Sequence, residues 1–131
     1  MTVVDDMLAA ARTAMARAYA PYSNFQVGAA VRTDRDNIYA GCNVENAAYP
    51  EGSCAETAAI AAMVVAGERR IVEVLVVGGG PELITPCGGC RQRLREFAAD
   101  DVPVHLCNAD GPRRRETLGA LLPRSFGPEH L

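Results

Sequence analysis

The sequence contains no lysine and no tryptophan; all 13 basic residues among its 131 positions are arginine. Without lysine there is no Schiff-base former and no Walker lysine, so those enzyme classes drop out. Positive charge is also in deficit. Thirteen basic against 16 acidic residues leave a net charge of −3, which offers a polyanion no long-range attraction and argues against a nucleic acid polymer as partner. No stretch approaches the ~20 consecutive apolar residues that span a bilayer, so no membrane role is expected. The first twenty residues place acids ahead of their apolar positions and lack the basic flank, continuous apolar run and cleavage site of a secretory signal. A cytoplasmic location is therefore predicted. Aromatic residues make up only 5% of the chain, whereas 49% is hydrophobic and 22% charged, the composition of a soluble globular protein. The length predicts one domain over residues 1–131. Five cysteines, an odd number in a chain read as unexported, make a disulfide framework improbable and point to reduced thiols or thiolate ligands.

Hydrophobic periodicity divides the chain into α-β-β-α-β-α-β-β. From Thr2, a candidate N-cap, Leu8, Ala11, Met15 and Ala18 recur at helical steps until Pro21. Val27, Ala29 and Val31 alternate in the next segment; turn residues follow at 34–37 and a second strand at 38–42, which together read as a hairpin. An alanine-rich helix is expected from Cys54 to Ala66, with Gly67 as a left-handed C-terminal cap. Residues 71–77 form a buried strand, residues 87–98 a helix, and residues 102–107 a strand whose Pro103 belongs at an edge or a strand start. A last short strand is placed near 113–117. A strand-helix-strand crossover implies parallel pairing, so the fold class is α/β: a mixed sheet with helices on both faces.

Two short strings carry the chemistry: C-A-E at 54–56 and P-C-G-G-C at 86–90. Cys87 and Cys90 are three apart at the start of a helix and can point the same way, while Cys54 begins another helix. Three thiolates at two helix N-termini are favoured by both macrodipoles, and three protein ligands with one open position make a catalytic rather than a structural zinc site. Glu56 lies close enough to carry protons without being a ligand. Taken singly, neither string is specific to that chemistry. S-C-A-E at 53–56 is also a capping box with the glutamate on the Ser53 amide, and a lone C-x-x-C is also a redox dithiol, half a zinc finger or two buried thiols.

Together with A-P-Y-S-N-F-Q-V-G-A-A at 20–30, G-C-N-V-E-N-A-A-Y at 41–49, P-C-G-G-C-R-Q at 86–92 and L-L-P-R-S-F-G-P at 121–128, these strings resemble the small, homotetrameric cytidine deaminases whose zinc ligands are all cysteine. The resemblance covers nearly the whole chain and implies a three-layer α-β-α sandwich on a five-stranded mixed sheet. It also implies one Zn2+ per chain on Cys54, Cys87 and Cys90, and Glu56 as the catalytic proton carrier in hydrolysis of cytidine and 2'-deoxycytidine for pyrimidine salvage. Asn43 and Glu45 would then grip the ribose, the Ala55 amide would meet the base carbonyl, and Phe25 would wall the base. Phe126 would do so from a neighbouring subunit, so that homotetramer active sites are shared.

One departure stands out. Many all-cysteine relatives carry arginine directly after the glutamate, against the thiolates, where this chain has Thr57. The charge of the site would fall to helix dipoles, the Thr57 hydroxyl or another arginine such as Arg91. Blasticidin S deaminase also lacks that arginine, which keeps a related zinc deaminase as an alternative; a non-catalytic zinc or redox thiol module is the alternative of another class. Cys42 and Cys107 read as buried small hydrophobes, His105 and His130 receive no role, and Arg113–Arg115 reads as a solvated face.

Overall fold

The structure, a computed structural model, describes residues 2–131. Helix α1 (Val3–Met15) is opened by a capping box in which Thr2 accepts from the Asp5 amide and the Asp5 side chain returns to the Thr2 amide. It stops well short of Pro21. After the Ala16 cap the chain tightens into i→i−3 bonds, and the Tyr19 amide then donates to Asn43 O. Ala18 is thus outside the helix: its amide closes an i→i−3 bond to Met15 O, and Tyr19 next to it bridges to the segment at 43–45.

Strands β1 (Val27–Thr33) and β2 (Ile38–Cys42) form the hairpin. Helix α2 (Ala55–Val65) follows, with Cys54 as N-cap, Ala66 as C-cap and Gly67 at φ +92° immediately after, the backbone conformation in which glycine replaces other residues without strain. Strand β3 (Ile71–Gly78), helix α3 (Gly88–Phe97), β4 (Pro103–Asn108) and β5 (Gly111–Thr117) complete the expected order. Helix α4 (Leu118–Leu121) and the 3-10 turns at Tyr49–Glu51 and Pro128–His130 are too short for a periodic signal and are not foreshadowed by the sequence pattern.

The sheet order is β2-β1-β3-β4-β5, with β3 and β4 parallel and every other pair antiparallel. Pro103 therefore opens an interior strand, where its missing donor costs no mid-ladder bond. Alternation assigns the two faces. Ala29, Val31, Val74, Val76, Val104 and Leu106 join the α2 and α3 side chains in one core, while Ala30, Leu75, Val77 and Cys107 pack under α1 in the other. The α-β-α sandwich expected from the sequence is the architecture observed. On the α1 side, Arg32 of β1 and His105 of β4 both bond Glu73 of β3, His105 at 2.5 Å, giving a mostly buried cross-strand trio. This is a structural place for His105. The exposed Arg113, Arg114 and Arg115 lie on β5, an edge strand, where charge opposes pairing with a second sheet.

Close approach of α2 to β2 fixes how the helix sits. A Cβ at Gly41 would lie 2.5 Å from the Ala59 amide nitrogen and 2.6 Å from Ala55 O, so the alanine-rich helix rests directly on glycine backbone. Gly41→Ala is expected to destabilise the fold by roughly 1–3 kcal/mol, the usual cost of overpacking, read as a lower urea midpoint at unchanged slope.

Strand directions bring the chemistry together. β2 ends, β3 ends and β1 begins at one end of the sheet, as the pairs Gly28↔Cys42 and Val27↔Gly78 show. The connections from β2 to α2 and from β3 to α3 both leave there, so the two helix N-termini and their cysteines share that end.

Candidate active site

Cys54 caps α2 and Cys87 caps α3, neither using its side chain for the cap, and Cys90 is buried in the first turn of α3. Their three sulfurs lie within 4.8 Å of one another, with Cys54 and Cys87 Sγ 3.7 Å apart. Tetrahedral zinc with Zn–S bonds near 2.3 Å separates its sulfurs by about 3.8 Å, so donor type and spacing both fit this ion. All five cysteines are free thiols. Burial pushes the thiols of Cys54 and Cys90 up, whereas hydrogen bonds from the Cys90 amide and the neighbouring thiols outweigh burial and hold Cys87 down.

Glu56 is 4% exposed and lines the same cavity of ≈ 360 Å³ as Cys54 and Cys87. Burial pushes its carboxyl above the ordinary range, with the Arg93 guanidinium pulling weakly the other way. The capping box does not form. The Ser53 amide already donates to Val44 O at 2.9 Å, and the helix begins after Cys54, leaving the carboxylate to the cavity.

Asn43, Glu45 and Ala55 line this cavity too. Asn43 also latches the start of β1: Oδ1 accepts from the Val27 amide and Nδ2 donates to Phe25 O, both at 2.9 Å. The Glu45 carboxylate accepts from the Tyr22 and Ser23 amides and the Ser23 hydroxyl, which holds its pKa down and fixes its position. Ala55 opens α2, where the first N–H groups lack intrahelical acceptors.

Neither Phe25 nor Phe126 lines this cavity. Phe25 is half-buried against the glycines after β3, its ring 3.1 Å from where a Gly80 Cβ would be. Phe126 is 57% exposed, stacks on His130 with ring centroids 5.4 Å apart, and is tied to α3 by the Gln92 amide on its carbonyl. A larger hollow of ≈ 550 Å³, lined by Arg69, Arg70 and Glu129 among others, contains no cysteine and lies at the opposite end of β3.

Three contributors receive no role from the sequence, although Tyr49 closes the string at 41–49. Tyr49 and Ile84 line the cavity, one on the 3-10 turn and one in the loop before α3. Arg93 donates to Cys90 Sγ at 3.6 Å. The expectation that Arg91 serves the thiolates is corrected: it donates to Pro86 O, Leu121 O and the Thr85 hydroxyl, bracing the cysteine loop without reaching a sulfur. The Thr57 hydroxyl is 3.9 Å from Cys90 Sγ.

This arrangement agrees with comparison to known proteins. Residues 1–106 match the model of the cytidine and deoxycytidylate deaminase zinc-binding region. The chain belongs to the cytidine and deoxycytidylate deaminase family. Among this family's members, the cytidine deaminase of Sporosarcina psychrophila is 40% identical over 128 residues, covering 98% of this chain and 94% of the relative. That of Mycobacterium tuberculosis is 40% identical over 121 residues, 92% of this chain and 87% of the relative. The crystal structure of the Burkholderia pseudomallei cytidine deaminase superposes with TM-score 0.89 at 42% identity, covering 96% of this chain and 100% of that one. The Mycobacterium tuberculosis cytidine deaminase gives 0.81 at 38%, covering 94% and 96%. The matched family region is a zinc-binding one and contains all three clustered cysteines; Phe126 lies beyond it. No helix among the described residues is long and apolar enough to cross a membrane.

Proposed function

We propose that the chain, acting as one catalytic domain, hydrolyses the C4 amine of cytidine and 2'-deoxycytidine to give uridine or 2'-deoxyuridine and ammonia. The observation that carries this reading is the buried Glu56 carboxyl in the same cavity as two of three converging cysteine sulfurs. Cys54, Cys87 and Cys90 would hold one zinc, which supplies the Lewis acidity that makes water nucleophilic at neutral pH. Glu56 takes the first proton of the attacking water and delivers it to N3 of the base, then takes the second from the hydroxyl now on C4 and passes it to the departing amine as the C4–N bond breaks. Its buried carboxyl suits both roles because the protonated form is not penalised.

Asn43 and Glu45 are assigned to the ribose. Glu45 accepts three hydrogen bonds from residues 22 and 23, so it is already immobilised as an acceptor for a sugar hydroxyl. The Ala55 amide is assigned to the base O2. Phe25 and a neighbour's Phe126 are assigned to the base walls in a homotetramer; the exposure of Phe126 in its own chain supports that assignment. Free thiolate ligands suit the reducing cytoplasm.

The test is ammonia release by zinc-loaded protein from cytidine, with free cytosine and blasticidin S as competing substrates. Turnover of cytidine alone supports the reading; turnover of blasticidin S alone, or none from protein carrying one zinc per chain, overturns it. Glu45→Gln is expected to lower kcat/KM for cytidine by about 10- to 100-fold, mainly through KM, the scale of one hydrogen bond to a charged group.

A further inference from the structure

We propose that Arg93 is the positioning residue that supplies the counter-charge of the thiolate site. The inference rests on the zinc reading above. Three thiolates and a divalent cation sum to −1, with the Glu56 carboxylate as a further negative charge nearby. Cys90 is 0% exposed and Glu56 nearly so, and uncompensated charge in such surroundings is strongly disfavoured.

Among the described residues, one side chain brings positive charge to this cluster, at the Cys90 sulfur. Arg93 Nη1 donates to Cys90 Sγ at 3.6 Å, while the Thr57 hydroxyl beside the same sulfur brings no charge and Arg91 is committed to the Pro86 and Leu121 carbonyls. Among the described residues Arg93 makes no salt bridge. Its guanidinium therefore answers to the sulfur and not to a surface acid. The helix makes this possible, since residue 93 returns to the face of Cys90 three positions on and to that of Gly89 four positions on. A Cβ at Gly89 would lie 3.2 Å from Arg93 Nη1, tighter than ordinary contact. The guanidinium thus lies over the second glycine of C-G-G-C, four residues away in the same helix.

The experiment measures zinc affinity by chelator competition, together with the thiolate-to-metal charge-transfer absorption of the cobalt-substituted protein. Arg93→Gln is expected to weaken zinc binding by about 10- to 100-fold, the scale of losing a partner behind a ligand, and to shift the cobalt absorption. Because Arg93 lies on the surface of α3, its urea midpoint without metal should stay close to that of the parent. Arg93→Lys, which keeps the charge, should retain most of the affinity. Thr57→Arg in the Arg93→Gln background should restore affinity, because a guanidinium at 57 starts beside the same sulfur. Parent protein that shows thiolate charge transfer, with Arg93→Gln unchanged within threefold and spectrally identical, overturns the role of Arg93 alone. Parent protein without thiolate charge transfer overturns the zinc reading and this inference with it.

Discussion

Glu56→Gln is expected to keep one zinc per chain, keep the fold, and lose at least ~10^2 to 10^4 of its deamination rate, the contribution of a positioned acid-base group. The substitution preserves side-chain volume in a cavity wall where Glu56 is almost wholly buried, so no void or clash follows. It removes no cap, because the Ser53 amide is held by Val44 O and Cys54 precedes the helix without side-chain capping. It removes no salt bridge among the described residues. What an amide cannot do is accept the two protons of the attacking water in turn and pass one to N3 and the other to the leaving amine. The loss should therefore appear in kcat, with metal content and urea midpoint near those of the parent. Ammonia release, metal analysis and denaturation on one preparation check all three, and near-normal turnover would remove Glu56 from the mechanism.

The parts of this site legible in the sequence are those where spacing alone implies geometry. Cys87 and Cys90 share a face because they are three apart at a helix start. Cys54 joins them because β2 and β3 run in the same direction, both antiparallel to β1, and β4 is parallel to β3, so that both crossovers leave one end of the sheet. Charge compensation was not legible in the same way. Arg91 is next to Cys90 in the chain, yet one residue turns a helix by about 100°, away from the sulfur, whereas Arg93 comes back to it. Competition for backbone groups was hidden too. Whether Glu56 caps α2 depends on the partner of the Ser53 amide, and that partner is Val44, nine residues earlier across an isolated bridge. The same bridging segment ends α1 early by drawing in Tyr19. Phe126 marks a different boundary: a single chain shows where it is anchored, on Gln92 and His130, and the assignment to a neighbour's site concerns an assembly.

Cys90→Ser is expected to weaken zinc binding by more than ~100-fold, beyond what loss of a supporting partner costs, and to abolish turnover at ordinary zinc concentrations. Burial does not explain this by itself, and Cys107 supplies the contrast. Both side chains are fully buried, and burial pushes both thiols up, Cys107 to about 11. Cys107 packs with Met7, Ala11 and Leu75 under α1, on the opposite face of the sheet from the metal cluster, and acts as a small hydrophobe. Cys107→Ala should lower the urea midpoint yet keep zinc and cytidine turnover. Cys90→Ser should do the reverse: in the metal-free state it exchanges sulfur for a smaller oxygen with little effect on the fold, while zinc loses one of three soft donors and the anion that Arg93 faces. Chelator competition and denaturation on the two variants separate packing from ligation. Equal zinc affinity in both would mean that the three converging sulfurs are a core contact and not a metal centre.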